Sequence, residues 1–335
     1  MISRRRSTTS FLLPLLLIMT LTSLIAAQQL ERKLSQGGYS IFDETMADMT
    51  YQEVEDAARR NAIVLWPMGV IEQHGPHLPL GTDIYDAYLE MKQAARLLKA
   101  RGQRVVIAPP MYWGINEATG SFGGSFSVRP ATLKSIIEDT FFSLRKDGFQ
   151  TVYIVTGHGD RLHNQTILEG VERARATTGL RGFVVLGTRM RERLGLTGRE
   201  PHVLAVEDPQ MSTLGSGAKS TSGTGSAPQA AVAPPRYLEV HAGAGETSMI
   251  WHFFPDLVKA DLIKTLEPTK YGPEDLAEWR KGWDNARQKT PLGYFGDPAS
   301  ADPKRGGQMM MGSAARIADA ITKHIESSPW MRQNK

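Results

Sequence analysis

The chain has 335 residues, 41% hydrophobic and 22% charged, which is the composition of a folded globular protein and excludes global disorder. Its net charge of +4 includes +3 from Arg4, Arg5 and Arg6, and the first 27 residues hold no acid, so the remainder carries about +1 (4 − 3) and gives no electrostatic case for nucleic acid. There is no cysteine, which excludes disulfides, thiolate metal sites and cysteine nucleophiles.

Residues 1–27 have the layout of an export signal: the basic Arg4–Arg6, a fifteen-residue apolar run from Phe11 to Ile25, and small residues at Ala26-Ala27. The run contains Pro14 and is short of the roughly 20 residues a spanning helix needs, so cleavage and no stable membrane insertion are expected. The mature protein is then exported, periplasmic or secreted.

A single catalytic domain is expected over residues 39–330. A helix over 45–60 has acids early and arginines late, matching the helix dipole. The apolar run 62–70 predicts a buried strand. It delivers 70-VIEQHGPHLPLGTD-83, a segment with too much Pro and Gly to be a helix. A helix over 84–102, a strand over 104–110 and a glycine-rich loop over 114–128 follow. Next come a helix over 131–148, a strand over 151–160, a helix over 164–179 and a strand over 182–187. Residues 212–235 are rich in Ser, Gly, Thr, Ala and Pro, and predict a flexible insertion at about 205–235. A last helix is expected over 247–257, capped by Thr247 or Ser248. Continuous apolar strands alternating with helices predict an α/β fold: three α/β/α layers around a mostly parallel central sheet, with sites at the C-terminal strand ends.

Three motifs carry the chemistry. In the first, an extended backbone lets Glu72 and His74 point to one place, and the prolines and glycines turn the loop so that Asp83 returns. This donor set suits Zn²⁺, Mn²⁺ or Fe²⁺. In the second, 156-TGHGDRLHN-164, His158 sits one glycine past a strand end, with Asp160 and His163 as further candidate ligands. In the third, 241-HAGAGETS-248, His241 is a candidate acid/base or ligand and Glu246 a candidate ligand or orienting group. His202, His252 and His324 have no such company and read as incidental.

The blocks 67-PMGVIEQHGPHLPLGTD-83, 157-GHGD-160 with Asn164, 241-HAGAGETS-248 and 296-GDPASADPKRG-306 resemble the creatininase family of metal-dependent amidohydrolases, in order, from about residue 45 to 325. The resemblance implies a creatininase-like α/β/α domain, two divalent metal ions (Zn or Mn, with Fe an alternative) and a homo-oligomer, often a hexamer. It implies that Glu72 and His158 bind one metal, that His74 binds the other, that Asp83 bridges them, and that His241 moves protons. Asp160 falls where the creatininases proper carry a glutamate ligand and many other members carry glycine. Three residues, Arg161-Leu162-His163, separate Asp160 from Asn164 as if inserted, which leaves the last ligand of the second metal open among Asp160, His163 and Glu246. The loop before 124-GSFSV-128 lacks the histidine many members have, and the insertion at 205–235 is unusual. The implied activity is hydrolysis of the C–N bond of a small amide, cyclic in some members, by water activated between two metals, with His241 and Glu246 as catalytic residues. The alternatives are a metallohydrolase acting on a lactone or other ester, and an inactive metal-bound binding protein of the cell envelope.

Overall fold

Every strand expected from the sequence is an uninterrupted apolar run, and the structure gives the physical reason: both sheet faces are covered by helices. The computed structural model describes residues 39–208 and 237–328. The expected signal at 1–27 and most of the expected insertion (209–236) lie outside the described residues. Residues from Ile41 onward make up one compact unit.

In chain order the described elements begin with α1 (Tyr51–Arg59), β1 (Ile63–Met68), α2 (Thr82–Ala100) and β2 (Val105–Ile107). They continue with α3 (Pro130–Lys146), β3 (Thr151–Thr156), α4 (Arg161–Thr178), β4 (Arg181–Gly187), α5 (Thr188–Leu194) and β5 (Val203–Val206). The C-terminal part holds α6 (Ala244–Phe253), α7 (Ala260–Ile263), α8 (Pro273–Trp279), α9 (Trp283–Lys289) and α10 (Pro303–Ser327). Every pairing among the five strands is parallel, and the strand order is β2-β1-β3-β4-β5. The expected parallel α/β sheet is therefore present, and it is doubly wound. Its order reverses at β1, with β2 on one side and β3 on the other. In open parallel sheets a ligand crevice lies at such a switch point, outside the carboxyl ends of the strands.

The side-chain period of two divides the core. Val64, Trp66 and Met68 of β1, with Val152 and Ile154 of β3, face Leu133, Ile137 and Phe141 of α3 and Ile167, Val171 and Ala174 of α4. Ile63 and Leu65, with Tyr153 and Val155, face Met91, Ala94, Ala95 and Leu98 of α2 and Ala314, Ile317, Ala318, Ile321 and Ile325 of α10. The helical spacings are i, i+3, i+4, i+7, the narrow apolar stripe of a helix lying on a sheet.

Local rules explain the differences from the expected elements. The first helix begins only at Tyr51, because Thr50 and Glu53 form a capping box there. A separate 3₁₀ turn covers Met46–Asp48. β2 stops at Ile107 because Pro109 and Pro110 have no N–H to give the ladder, and pairing resumes only as the isolated bridge Met68–Met111. The α4 helix starts three residues earlier than expected, at Arg161, because Asp160 caps it. The α6 helix starts at Ala244, so Thr247 and Ser248 sit inside it and cap nothing. β5 draws residues 205 and 206 of the expected insertion into the sheet. No helix among the described residues is long and apolar enough to cross a membrane.

Ile321 has no exposed surface and lies in the middle of the α10 stripe. Ile321→Ala is expected to lower the unfolding free energy by about 2–5 kcal/mol at unchanged m-value in a denaturant titration.

Candidate metal centre

The loop after β1 is closed by the hydrogen bond from Glu72 N–H to the Leu80 carbonyl, 3.0 Å. Gly75 at φ 69° supplies the left-handed turn inside it. Closure returns the chain so that Asp83 stands in the first turn of α2, beside Glu72 and His74. Gly69 and Gly157, just past β1 and β3, let both strand ends press on this turn. A Cβ on Gly157 would lie 2.2 Å from the Asp83 carbonyl oxygen, and one on Gly69 would lie 2.8 Å from Ile84 N. The sheet's switch point thus fixes the backbone of Asp83 directly.

Three imidazoles and three carboxylates converge there. His158 Nδ1 lies 3.0 Å from Glu72 Oε1 and 2.8 Å from Asp83 Oδ2. His74 Nε2 lies 3.1 Å from Asp83 Oδ1 and 3.9 Å from both Glu72 Oε1 and Glu246 Oε2. His241 Nδ1 stands 3.9 Å from Glu72 Oε1. Each ring is fixed from behind by a backbone carbonyl. His74 Nδ1–H donates to Glu72 O at 3.1 Å, His158 Nε2–H to Ile115 O at 3.0 Å, and His241 Nε2–H to Gln73 O at 2.8 Å. The Gln73 side-chain nitrogen also approaches His241 Nε2, at 3.1 Å, but both are donors once the carbonyl has set the tautomer. A carbonyl can only accept, so it assigns the proton to the far nitrogen of each ring. The near nitrogen then keeps its lone pair, aimed at the carboxylates. This is how ligating histidines are held.

A lone pair facing a carboxylate at 3 Å is repulsive unless a cation lies between them. Glu72, His74, Asp83, His158 and His241 are all buried, so water screens little of this. Without a metal ion, protons fill the gap. Burial alone would lower the His74 pKa, but the Asp83 charge and hydrogen bond, with Glu72 and Glu246, push it up to about 10. For His158, burial is likewise outweighed by Glu72 and Asp83, which hold it well above the ordinary value. Burial works against ionisation of Asp83 and Glu72. Asp83 is nevertheless held low by His74 and His158, and Glu72 by His158 and His241. Protons do not complete the arrangement: buried Asp83 Oδ2 finds no hydrogen-bond geometry with any partner, despite its close approach to His158. The donors fit divalent ions in two adjoining groups that share Asp83: Glu72–Asp83–His158 and His74–Asp83–Glu246.

Glu246 is therefore the carboxylate that joins His74 and Asp83, and the two other candidates for that place have different work. Asp160 caps α4: its Oδ1 accepts from Leu162 N (2.8 Å) and His163 N (3.1 Å), and its Oδ2 from Glu117 N (3.0 Å). The expected ligand Asp160 thus caps α4, and among the described residues it falls in none of the groups that could hold an ion. His163 turns away from the carboxylates. Its Nδ1 accepts from Ile115 N–H at 3.3 Å, and burial and the neighbouring His158 hold its pKa well below the ordinary value. His241 also forms a group with Glu72 and His74. Unlike His74 and His158, it approaches no carboxylate closer than 3.9 Å, and it lines the cleft.

Further supports come from residues the sequence did not single out. Thr119 Oγ1, in the glycine-rich loop, donates a short hydrogen bond to Glu72 Oε2 and aims that carboxylate. Glu239 accepts from Ala244 N and Asp297 N, both at 2.8 Å, and so ties the segment 241–246 to the block beginning at 296. Thr247 meets His77 Nε2 at 2.8 Å. A cleft of about 600 Å³ opens from the cluster, walled by Ala118, Leu162, Val240 and Trp279. Of the histidines read as incidental, His324 bonds the Tyr153 hydroxyl at 2.9 Å, far along the chain from these motifs.

Known proteins resemble this chain in sequence and in fold. Residues 47–321 match the creatininase family model, described as creatinine amidohydrolase. A creatinine amidohydrolase of Pseudomonas putida is 23% identical over 289 residues, 84% of this chain and 96% of that protein. A mycofactocin precursor peptide peptidase of Mycolicibacterium smegmatis is 28% identical over 260 residues, 76% of this chain and 84% of that protein. Among solved structures, a manganese creatininase superposes with a TM-score of 0.59 at 21% identity, covering 84% of this chain and 98% of that one. A variant creatininase of Zn–Zn type gives 0.60 at 21% identity, covering 86% and 99%. At that identity the superpositions establish the fold.

Two outcomes follow from the geometry. Gly157→Ala forces Asp83 out of place, and should cost most of the bound metal while leaving the far-ultraviolet dichroism unchanged. Stripped of metal, the protein should lose stability as pH rises. A histidine whose folded pKa is raised stabilises the fold fully below its unfolded value of about 6.5 and loses that contribution through its folded value. The His74 contribution therefore fades between pH 6.5 and about 10. Denaturant melts in a chelator should show this decline, and His74→Gln should flatten it.

Proposed function

The chain belongs to the creatininase family of metal-dependent amidohydrolases, and from that premise we propose that it hydrolyses the C–N bond of a compact amide at a dinuclear metal centre. One observation carries the reading: three backbone carbonyls orient three imidazoles so that their free nitrogens meet three carboxylates around a shared Asp83. Glu72, Asp83 and His158 would hold one divalent ion, and His74, Asp83 and Glu246 the other. Zn or Mn suits these donors, with Fe an alternative. When bound, such a pair polarises an amide carbonyl and brings the pKa of water towards 7.

The chain's own residues do the rest. Thr119 and the closed 72–80 loop fix the carboxylates, so the donors need no rearrangement when a substrate arrives. His241, held by the Gln73 carbonyl, presents Nδ1 on the cleft side, where an imidazole can pass a proton to a departing nitrogen. The Trp279 ring, 5.9 Å from the His241 ring, walls this side against water.

By the same reading the protein is an exported homo-oligomer, in the periplasm or secreted. The N-terminal Arg4–Arg6 and apolar Phe11–Ile25 support export. The exposed pair Trp113 and Phe126, 5.8 Å apart, supplies an apolar face for association.

Metal analysis of the purified chain should find about two equivalents of divalent ion. Asp83→Ala should remove both, and Glu246→Gln should remove about one. Unchanged metal content in Asp83→Ala would refute the shared-carboxylate centre. Metal uptake at pH 7 should also release about two protons per chain, from His74 and His158, in weakly buffered titrations.

A further inference from the structure

Three arginines line the cleft that also holds the acidic cluster. Arg161 opens α4, Arg193 lies at the end of α5, and Arg280 follows α8 directly; all three line the cleft. Their elements are far apart in sequence, so the grouping is a product of the fold. Among the described residues, no carboxylate lies within ion-pair distance of any of the three guanidinium groups. Of the nearby acids, Asp160 accepts backbone N–H groups on both oxygens and acts on Arg193 through its charge alone. Glu117, which also lines the cleft, meets no cation within ion-pair distance; burial and Asp160 raise its pKa, and the charge of Arg161 opposes them. Arg193 Nη1 donates to the Gly159 carbonyl at 2.8 Å, and Arg161 Nε to the Arg193 carbonyl at 3.3 Å. These bonds orient the two side chains and leave their remaining N–H groups free. The Arg280 guanidinium makes no hydrogen bond or ion pair among the described residues. Burial and the charges of Arg280 and Arg161 lower the pKa of Arg193 against the opposing charge of Asp160, so the cations feel one another.

Like charges held together in a cleft cost free energy, which an anion placed between them would offset. A guanidinium offers a planar fork of N–H donors that matches a carboxylate in two-point contact. The Glu72–Asp83–Glu246 cluster, where amide chemistry would occur, lines the same cleft, which therefore carries groups of both signs.

We propose that the substrate is an amide bearing a carboxylate on the side of the scissile bond away from the Glu72–Asp83–Glu246 cluster, and that Arg193 and Arg280, with Arg161, form the subsite for that carboxylate. A neutral cyclic amide would leave this subsite unused. The class that fits is an N-acyl amino acid, or a peptide cut near its free C-terminus. The proposal rests on the amidohydrolase reading of the same cleft, and its test separates the two.

The test uses matched pairs, each an N-acetyl amino acid and its neutral C-terminal amide, with the full chain in metal-free and Zn-loaded forms. Binding is read by calorimetry in both forms, and hydrolysis in the loaded form. The acid is expected to bind about 10-fold tighter than its amide in both forms, because one hydrogen-bonded charge contact gives a factor of that order. Arg280→Met, and separately Arg193→Met, should bring the acid-to-amide ratio close to one. The ratio is the readout, so a general loss of affinity does not count as support. Hydrolysis of either member supports the amidohydrolase reading and says nothing of the subsite. Equal binding of acid and amide in the metal-free form, or an acid preference untouched in both arginine variants, overturns the subsite. An acid preference that appears only with zinc overturns it too, since the carboxylate would then be on the metal.

Discussion

The molecule depends on one electrostatic constraint: three carboxylates and three imidazoles packed together at a cleft, all but Glu246 buried. Left to themselves, Glu72, Asp83 and Glu246 would repel one another strongly in a medium of low dielectric constant. Protons on His74 and His158 relieve this without metal, and leave Asp83 Oδ2 without hydrogen-bond geometry. Divalent ions relieve it better, because an ion accepts several lone pairs at once. The backbone has committed to that outcome. Three carbonyls, of Glu72, Gln73 and Ile115, set all three tautomers for ligation or proton transfer before any ligand arrives.

The fold supplies the place for this arrangement. β1 and β3 are neighbours at the point where the strand order reverses, and their ends carry the 72–74 segment and His158. The glycines past those ends allow both strands to abut the turn that carries Asp83. The hydrophobic layers on either side of the sheet give the rigidity that metal-ligand placement requires. The C-terminal elements close the site from the other side, through His241, Glu246 and the Glu239 clasp.

Much of this was legible in the sequence, for identifiable reasons. Glu72, His74 and Asp83 fall within one loop whose prolines and glycines forbid a helix, so their convergence follows from local geometry. His158 follows an apolar strand, and parallel sheets put such positions together. Other parts were not legible. Asp160 and Glu246 offer the same carboxylate at comparable positions in their motifs, and only the helix start at Arg161 makes Asp160 a cap. Placing that start three residues later concealed it, although an aspartate just before a helix is itself a capping signal. Thr119, Gln73 and the cleft arginines carry no periodicity or spacing, because each acts across long sequence separations.

The central claim is that Asp83 is shared by two ions in one coupled centre. Loading the protein with Mn²⁺ and recording its electron paramagnetic resonance spectrum tests this most directly. The account predicts the spectrum of an exchange-coupled manganese pair, which Asp83→Asn converts to isolated ions or abolishes. A six-line signal of isolated Mn²⁺ in the wild-type protein, unchanged by that substitution, would contradict it.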